Sequence, residues 1–277
     1  LGNYLVPMLV EVGSICDAQV VFDRLVYRND WSWNALISGY VKCLKLHHAF
    51  SLYEKMQKET TVRPNEHTFL PLLKACANSK DLEKGIKIHD AIGRVERFKR
   101  NIFLGTTLID MYMKCASLVD ARRIFDELHD RDVVSWNSLI TVHLHYDRVE
   151  DALTYFERME LDGVSPNVVT FLCALKACTN IGAVDKGQHL HAEIERRGLL
   201  RIDIVGNALL NMYAQCASFA IAHQMFSKLH IRDVVSWTVM MTGYAKLGES
   251  KEVFHIFDEM LGQGIKPNMI TFIIVLN

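Results

Sequence analysis

The sequence predicts an all-α protein, a right-handed superhelical solenoid of helix-turn-helix repeats, and three observations predict it. First, the segment Arg131-Asp132-Val133-Val134-Ser135-Trp136-Asn137 returns as Arg232-Asp233-Val234-Val235-Ser236-Trp237-Thr238, 101 residues later. A degraded copy, Asn29-Asp30-Trp31-Ser32-Trp33-Asn34, lies 103 residues upstream of the middle one. Self-similarity at a near-constant spacing marks a repeat array. Second, apolar residues between the copies recur at three and four, the period of an amphipathic helix. Third, Gly, Pro and Asn punctuate the chain at matching places. One helical hairpin cannot bury its apolar face alone, but stacked neighbours bury a continuous core and leave a long concave surface.

Three kinds of unit alternate. The first begins with Gly2-Asn3, and its relatives open at Ile102 and Asp203, carrying Gly105-Thr106 and Gly206-Asn207. The second carries Trp33, Trp136 and Trp237 and ends in Pro64-Asn65, Pro166-Asn167 and Pro267-Asn268. The third opens with Thr68-Phe69, Thr170-Phe171 and Thr271-Phe272. Single insertions, one between Met56 and Asn65 and one between His89 and Asn101, account for the drift in spacing.

Each unit reads as two helices. In the middle Trp unit, Val134, Trp136, Leu139, Ile140 and His143 can share one helical side. After the polar break Tyr146-Asp147-Arg148, residues Val149, Ala152, Leu153, Phe156 and Met159 again repeat at three and four. Gly163 can end that second helix, and Pro166 prevents its continuation. In the unit before it, Ser117-Leu118-Val119-Asp120 offers an N-cap with an acid in the first turn.

Half of the 277 residues are apolar, enough for a continuous core, and no apolar run approaches the ~20 residues of a membrane span. The formal net charge of −1 gives no bulk attraction for a polyanion, so a nucleic-acid site would have to gather Lys and Arg on one face. The seven cysteines occupy repeat positions: Cys76 matches Cys178, and Cys115 matches Cys216. An odd count without Cys-x-x-Cys points to buried thiols in a reducing compartment rather than a disulfide framework. The pairs His47-His48, His143-x-His145 and His189-x-His191 lack thiolates or carboxylates at ligand spacing, so neither a metal nor another cofactor is expected. The chain opens without methionine and closes inside a repeat, at Ile273-Ile274-Val275-Leu276-Asn277, as a fragment would.

With units of 31, 35 and 35 residues alternating, the chain closely resembles the plant pentatricopeptide repeat proteins, in their variant class of short, standard and long motifs. The residues that carry the resemblance are Val-Val-Ser-Trp-Asn, the run Gly206 to Tyr213, Leu73-Lys74-Ala75-Cys76 and Ile265-Lys266-Pro267-Asn268. In those terms 1–29 is a partial short motif, 30–65 standard, 66–101 long, 102–132 short, 133–167 standard and 168–202 long. A short motif at 203–233, a standard one at 234–268 and the start of a long one at 269–277 complete the array.

The resemblance implies an organellar single-stranded RNA binder, in mitochondrion or chloroplast, reading about one base per repeat through two or three side chains. For the alternating class it implies guiding cytidine-to-uridine editing, with small editing cofactor proteins as possible partners at the long motifs and no membrane. A zinc deaminase needs His-x-Glu followed by Pro-Cys-x-x-Cys. That tandem signature does not occur here, so this chain is not expected to be an enzyme.

In the family a reader in the first helix works with the last residue of its motif. Asn3 with Asn29, Asn34 with Asn65 and Asn137 with Asn167 would each take a pyrimidine. Thr106 with Asp132 would take guanosine, Asn207 with Asp233 uridine, and Thr238 with Asn268 adenosine. Leu70, Leu172 and Ile273 stand at the same place in the long motifs and have no group that can bond a base edge. The implied register is 5′-Y-Y-N-G-Y-N-U-A-3′. Phe103, Val134, Ile204 and Val235 match the apolar residue that wedges the base, while His67 departs from it and Trp31 replaces it. Lys42, Lys114 and Lys246 match the basic position near the phosphates. The tryptophans Trp33, Trp136 and Trp237, next to the readers, are expected to point into the core. Two other readings stay open: a scaffold that holds a peptide on its concave surface, and an RNA stability or translation factor without editing.

Overall fold

The computed structural model describes residues 2–59, 62–95 and 101–276. Among them are seventeen α-helices, one short 3-10 turn at Leu199–Arg201, and no strand. The helices pair into hairpins. These are α1 (Gly2–Glu11) with α2 (Ile15–Asp23), α3 (Asp30–Lys42) with α4 (Leu46–Lys58), and α5 (Glu66–Ser79) with α6 (Leu82–Gly93). Next come α7 (Ile102–Lys114) with α8 (Leu118–Glu127), α9 (Val133–His145) with α10 (Val149–Leu161), and α11 (Val168–Ile181) with α12 (Val184–Arg196). Last are α13 (Asp203–Gln215) with α14 (Phe219–Lys228), α15 (Val234–Lys246) with α16 (Ser250–Gly262), and α17 (Met269–Leu276). This is the predicted array of helix-turn-helix repeats. The two single insertions fall in stretches that each include residues outside the described set.

The chain forms two compact units, 1–139 and 140–277. Within the first, α1, α3, α5 and α7 pack successively on one another; within the second, α11, α13, α15 and α17 do. Within each unit these first helices therefore make one layer, and the second helix of each of their hairpins packs on its own first helix.

Local chemistry sets both ends of the first helices. Asn29, Asn65, Asn101, Asn167 and Asp233 sit at N-caps in extended backbone, and each side chain accepts from the amide three residues on. Such a cap satisfies an amide that the helix leaves orphaned and contributes about 1 kcal/mol. At the other end, every turn inside a hairpin closes in the same way. One residue enters the left-handed region, and the next N–H reaches back five residues, as in Lys45 N to Tyr40 O and Ser117 N to Tyr112 O, the Schellman arrangement.

Only Gly13, Gly182 and Gly248 fill that left-handed position with glycine; elsewhere it is Leu44, Lys80, Ala116, Asp147 or Ala217, at φ of 56–62°. A Cβ there crowds the following carbonyl. Leu44→Gly, Ala116→Gly and Ala217→Gly should therefore each stabilise the fold by about 0.5–1 kcal/mol. Urea denaturation should show the midpoint rising with each substitution.

Two local expectations need correction. Val134 does not share the core side with Trp136, Leu139, Ile140 and His143; it is exposed while they are buried, because α9 turns it a full 200° away from Trp136 at ~100° per residue. Ser117 stands at the N-cap of α8 but makes no cap bond; its hydroxyl donates to Asp120 Oδ2 at 2.6 Å instead. The second helix of the middle standard motif is as predicted, with Val149, Ala152, Leu153, Phe156 and Met159 all buried.

Candidate nucleic-acid interface

The seven-residue segment is a joint between hairpins, and each position has a separate physical task. Its arginine closes the hairpin behind it. Arg28, Arg131 and Arg232 donate through Nε to the carbonyls of Phe22, Phe125 and Phe226, at 3.1–3.2 Å. Each guanidinium also lies over that phenylalanine's ring, 5.0–5.1 Å from its centroid. Each phenylalanine also meets the tryptophan of the next helix: Trp33, Trp136 and Trp237 meet Phe22, Phe125 and Phe226 edge-on at 4.7 Å. The result is an Arg–Phe–Trp stack at every joint into a standard motif. Sequence reading placed the tryptophans in the core, where they are, but missed the arginine. The signal was present as Phe-x5-Arg-x4-Trp in all three copies.

The second position caps. Asp132 Oδ1 accepts from Ser135 N at 2.8 Å, while Ser135 Oγ returns a bond to the Asp132 carbonyl, also at 2.8 Å. Asp233 with Ser236 and Asn29 with Ser32 repeat this exchange. Entering the long motifs, Asn65 and Asn167 make a full capping box with Thr68 and Thr170. Asn268 and Thr271 are bonded in the same manner. The last residue of each motif, assigned to base reading by the resemblance, is thus a helix N-cap first. Asn and Asp cap equally well through one oxygen. Exchanging them leaves the fold intact while changing the second terminal group from a donor to an acceptor.

The readers stand beside these caps. Asn34 Nδ2 donates to Asn65 Oδ1 at 3.0 Å, and Thr68 Oγ1 donates to Asn34 Oδ1 at 2.5 Å. Asn207 Nδ2 lies 3.4 Å from both carboxylate oxygens of Asp233. Asn3 instead bonds the main chain, to Tyr27 O at 3.1 Å and from Asn29 N at 3.3 Å. The threonine readers turn inward along their own helices: Thr106 Oγ1 donates to Ile102 O at 2.7 Å, and Thr238 Oγ1 to Val234 O at 2.5 Å. Asn137 is buried on α9, and Asn167 caps α11. The fully buried Thr68 and Thr271, each reaching a reader of the preceding motif, escaped the sequence reading. The recurring Asn-x-x-Thr spacing after proline was the available sign.

The wedge position is the most uniform. Trp31, Phe103, Val134, Val169, Ile204, Val235 and Ile270, each three residues before a reader position, are 50–71% exposed. In the standard and long motifs the very next residue is a hydroxyl-bearing one with no exposure: Ser32, Thr68, Ser135, Thr170, Ser236 or Thr271. A helix so capped forces this alternation, because the hydroxyl must turn in to meet the cap. His67 is exposed at the same place.

The lysines are less alike. Lys42 is exposed, Lys114 pairs with Asp110 at 2.9 Å one turn earlier on α7, and Lys246 donates to Gln215 on the preceding first helix. At the long motifs Leu70 and Leu172 are half-buried and Ile273 is exposed.

The repeat-equivalent histidines His89 and His191 and the buried cysteines Cys76 and Cys178 serve packing, whereas Cys16 and Cys43 are exposed, against the expectation of buried thiols throughout. His89 Nδ1 meets the Tyr112 hydroxyl at 2.7 Å, and His191 Nδ1 meets that of Tyr213 at 3.0 Å, equivalent contacts of a long motif with the next short one. The sequence does spell His-x-Glu once, at His191-Ala192-Glu193. There the glutamate is engaged by Arg196 and Arg197, whose hydrogen bonds hold its carboxyl down to about 2. All seven cysteines are free thiols, and burial pushes Cys76 up to about 12 and Cys178 to about 11. Among the described residues no group of three His, Cys, Asp or Glu could hold a metal ion, and no helix is long and apolar enough to cross a membrane.

Burial also lowers both His89 and His191 from the ordinary 6.5, so the folded chain favours neutral rings. Below 6.5 the unfolded chain takes up protons that the folded one refuses. The stability is fully present above that pH and is lost as pH falls. The Tm should decline from pH 7 to pH 5, and the decline should be shallower in the His89→Gln/His191→Gln double variant.

Comparison with known proteins finds repeat-family matches along the chain. The model of the PPR repeat family matches residues 28–78, 131–180 and 232–277, and that of the PPR repeat matches 106–133. Pentatricopeptide repeat-containing protein At2g33680 of Arabidopsis thaliana is 33% identical over 277 residues, covering 100% of this chain and 38% of its own length. Two further Arabidopsis thaliana proteins of that name are similar. At3g09040, mitochondrial, is 35% identical over 98% of this chain and 26% of its own. At4g18520, chloroplastic, is 32% identical over 97% of this chain and 43% of its own. The chain thus spans less than half the length of these relatives. Among solved structures, the pentatricopeptide repeat protein PPR10 in complex with an 18-nt psaJ RNA element superimposes with a TM-score of 0.78. The superposition covers 95% of this chain and 40% of PPR10, at 23% identity.

Proposed function

The chain belongs to the PPR repeat family, and from that premise we propose that it binds single-stranded RNA in a sequence-specific manner, one base per joint. The observation that carries this reading is the repeated joint itself: an exposed apolar wedge, a polar reader three residues on, and an Asn or Asp cap beside the reader. A planar base with a polar edge needs that combination, a surface for its face and donors or acceptors for its edge. PPR10, whose fold the chain shares, was solved with RNA bound.

We further propose the motif boundaries and the register 5′-Y-Y-N-G-Y-N-U-A-3′, with the long motifs indifferent to base or serving as docking points for small editing cofactors. The alternation of short, standard and long motifs supports a role as guide for cytidine-to-uridine editing in mitochondria or chloroplasts, the compartments named for two of the relatives. Lys42, Lys114 and Lys246 are the phosphate contacts in this reading. The pairing of Lys114 with Asp110 and the net charge of −1 make the electrostatic part of binding small. That same charge balance favours the rival reading, a protein scaffold.

Fluorescence anisotropy separates the two. The chain should bind a single-stranded RNA of the proposed register at low salt, and the same sequence as a duplex far more weakly. Equal binding of single strand and duplex, or of neither, would favour the scaffold.

A further inference from the structure

The joints that carry polar readers are of two chemical kinds, set by the hydroxyl residue three places after each cap. Into a standard motif that residue is serine. Ser32, Ser135 and Ser236 donate to the main-chain carbonyls of the caps Asn29, Asp132 and Asp233, at 2.8–2.9 Å. The hydroxyl is then spent, and Asn207 Oδ1, the reader oxygen beside Asp233, is buried without a hydrogen-bond partner. Into a long motif the residue is threonine, and its hydroxyl turns the other way. Thr68 Oγ1 accepts from the Asn65 main-chain N–H at 3.1 Å and donates to Asn34 Oδ1 at 2.5 Å. With that oxygen held, Asn34 Nδ2 donates to Asn65 Oδ1 at 3.0 Å. Thr68 has no exposure and Asn34 is buried, so both bonds are shielded from water. At the last joint Thr271 likewise reaches a reader, its Oγ1 3.4 Å from Thr238 Oγ1.

We propose that Thr68 is a positioning residue for base selection at the second RNA position, holding the Asn34 amide in one orientation, a task that serine at the same place does not perform. A free asparagine amide can show a base either its oxygen or its NH2 group, and the choice decides whether the base must donate or accept. Thr68 takes the oxygen, and Asn65 takes one Nδ2 hydrogen. The hydrogen left over is a donor, which suits the C2 carbonyl oxygen that cytosine and uracil share. A side chain fixed in advance also loses less freedom when the base arrives. The proposal rests on the single-stranded RNA reading above and gives the second Y of the register a physical origin.

Two variants test it by anisotropy of labelled RNA. Thr68→Val keeps the shape and removes the hydroxyl. Thr68→Ser keeps a hydroxyl of the kind that bonds the cap carbonyl at Ser32, Ser135 and Ser236, so it folds even if the valine variant does not. Each is titrated with 5′-CUAGUAUA-3′, with the same strand carrying A at the second position, and with the strand carrying A at the seventh, which Asn207 reads. The native chain should prefer U to A at the second position by about 5- to 150-fold. In both variants that ratio should fall to within about threefold of unity, while the ratio at the seventh position stays as in the native chain. A native ratio at the second position in either folded variant overturns the positioning role and leaves RNA binding in place. So does an equal loss at both positions, which is what a merely structural threonine would give. No anisotropy change with the native chain overturns the RNA reading, and the positioning role with it.

Discussion

Trp136→Ala should lose about 3–5 kcal/mol, the cost of emptying a fully buried aromatic site. The indole is the middle of three joint tryptophans, and its removal deletes the edge-on contact with Phe125, the ring that Arg131 also covers. Repeat arrays are stabilised by nearest-neighbour interfaces, so a defect at one joint uncouples the hairpins on either side. Urea unfolding followed by far-UV circular dichroism should therefore lose its single sharp transition and begin at much lower denaturant. Phe125→Ala should have a similar effect, and the double variant should cost less than the sum, because the two rings form one contact. A loss below about 1 kcal/mol would mean that the stack is not what joins the hairpins.

Thr106→Asn should change the preferred base at the fourth RNA position from guanosine to uridine. The reason is visible in the equivalent short motif. There Asn207 points its amide at both oxygens of Asp233, whereas Thr106 turns its hydroxyl back to Ile102 O. The substituted side chain cannot repeat the threonine's back-bond and faces Asp132 with the geometry of the Asn207–Asp233 pair. By analogy with base-edge readout in DNA, the switch should be worth about 1–3 kcal/mol, a change of roughly 5- to 150-fold in relative affinity. Preferences at the other positions should stay, since each reader sits on its own hairpin. Retained guanosine preference would show that the register is wrong.

The fold was legible because a repeat writes the same local chemistry several times. Most hairpin boundaries follow from apolar spacing together with a cap or a breaker, which are short-range signals. Val134 was misassigned for a reason of the same kind: its apolarity fits the core pattern, but its helical angle places it outside. Ser117 fits the composition of a cap, yet Asp120 three residues later takes its hydroxyl proton. Contacts between hairpins were harder to read. Arg131 reaches a ring six residues back across a helix end, and Thr68 reaches Asn34 from 34 residues away. Neither contact has a periodic signature within one element. At the candidate interface, residue identities at the readers and caps came from resemblance. The structure adds that the cap residue is already committed to the helix, so base reading at that position has only the second terminal group to vary.

Selection from a pool of random single-stranded RNA at low salt, followed by sequencing of the bound fraction, tests the central claim most directly. The account predicts enrichment of G at the fourth position, a pyrimidine at the second and fifth, and U-A at the end, with the third and sixth positions free. A bound fraction indistinguishable from the input pool would contradict it.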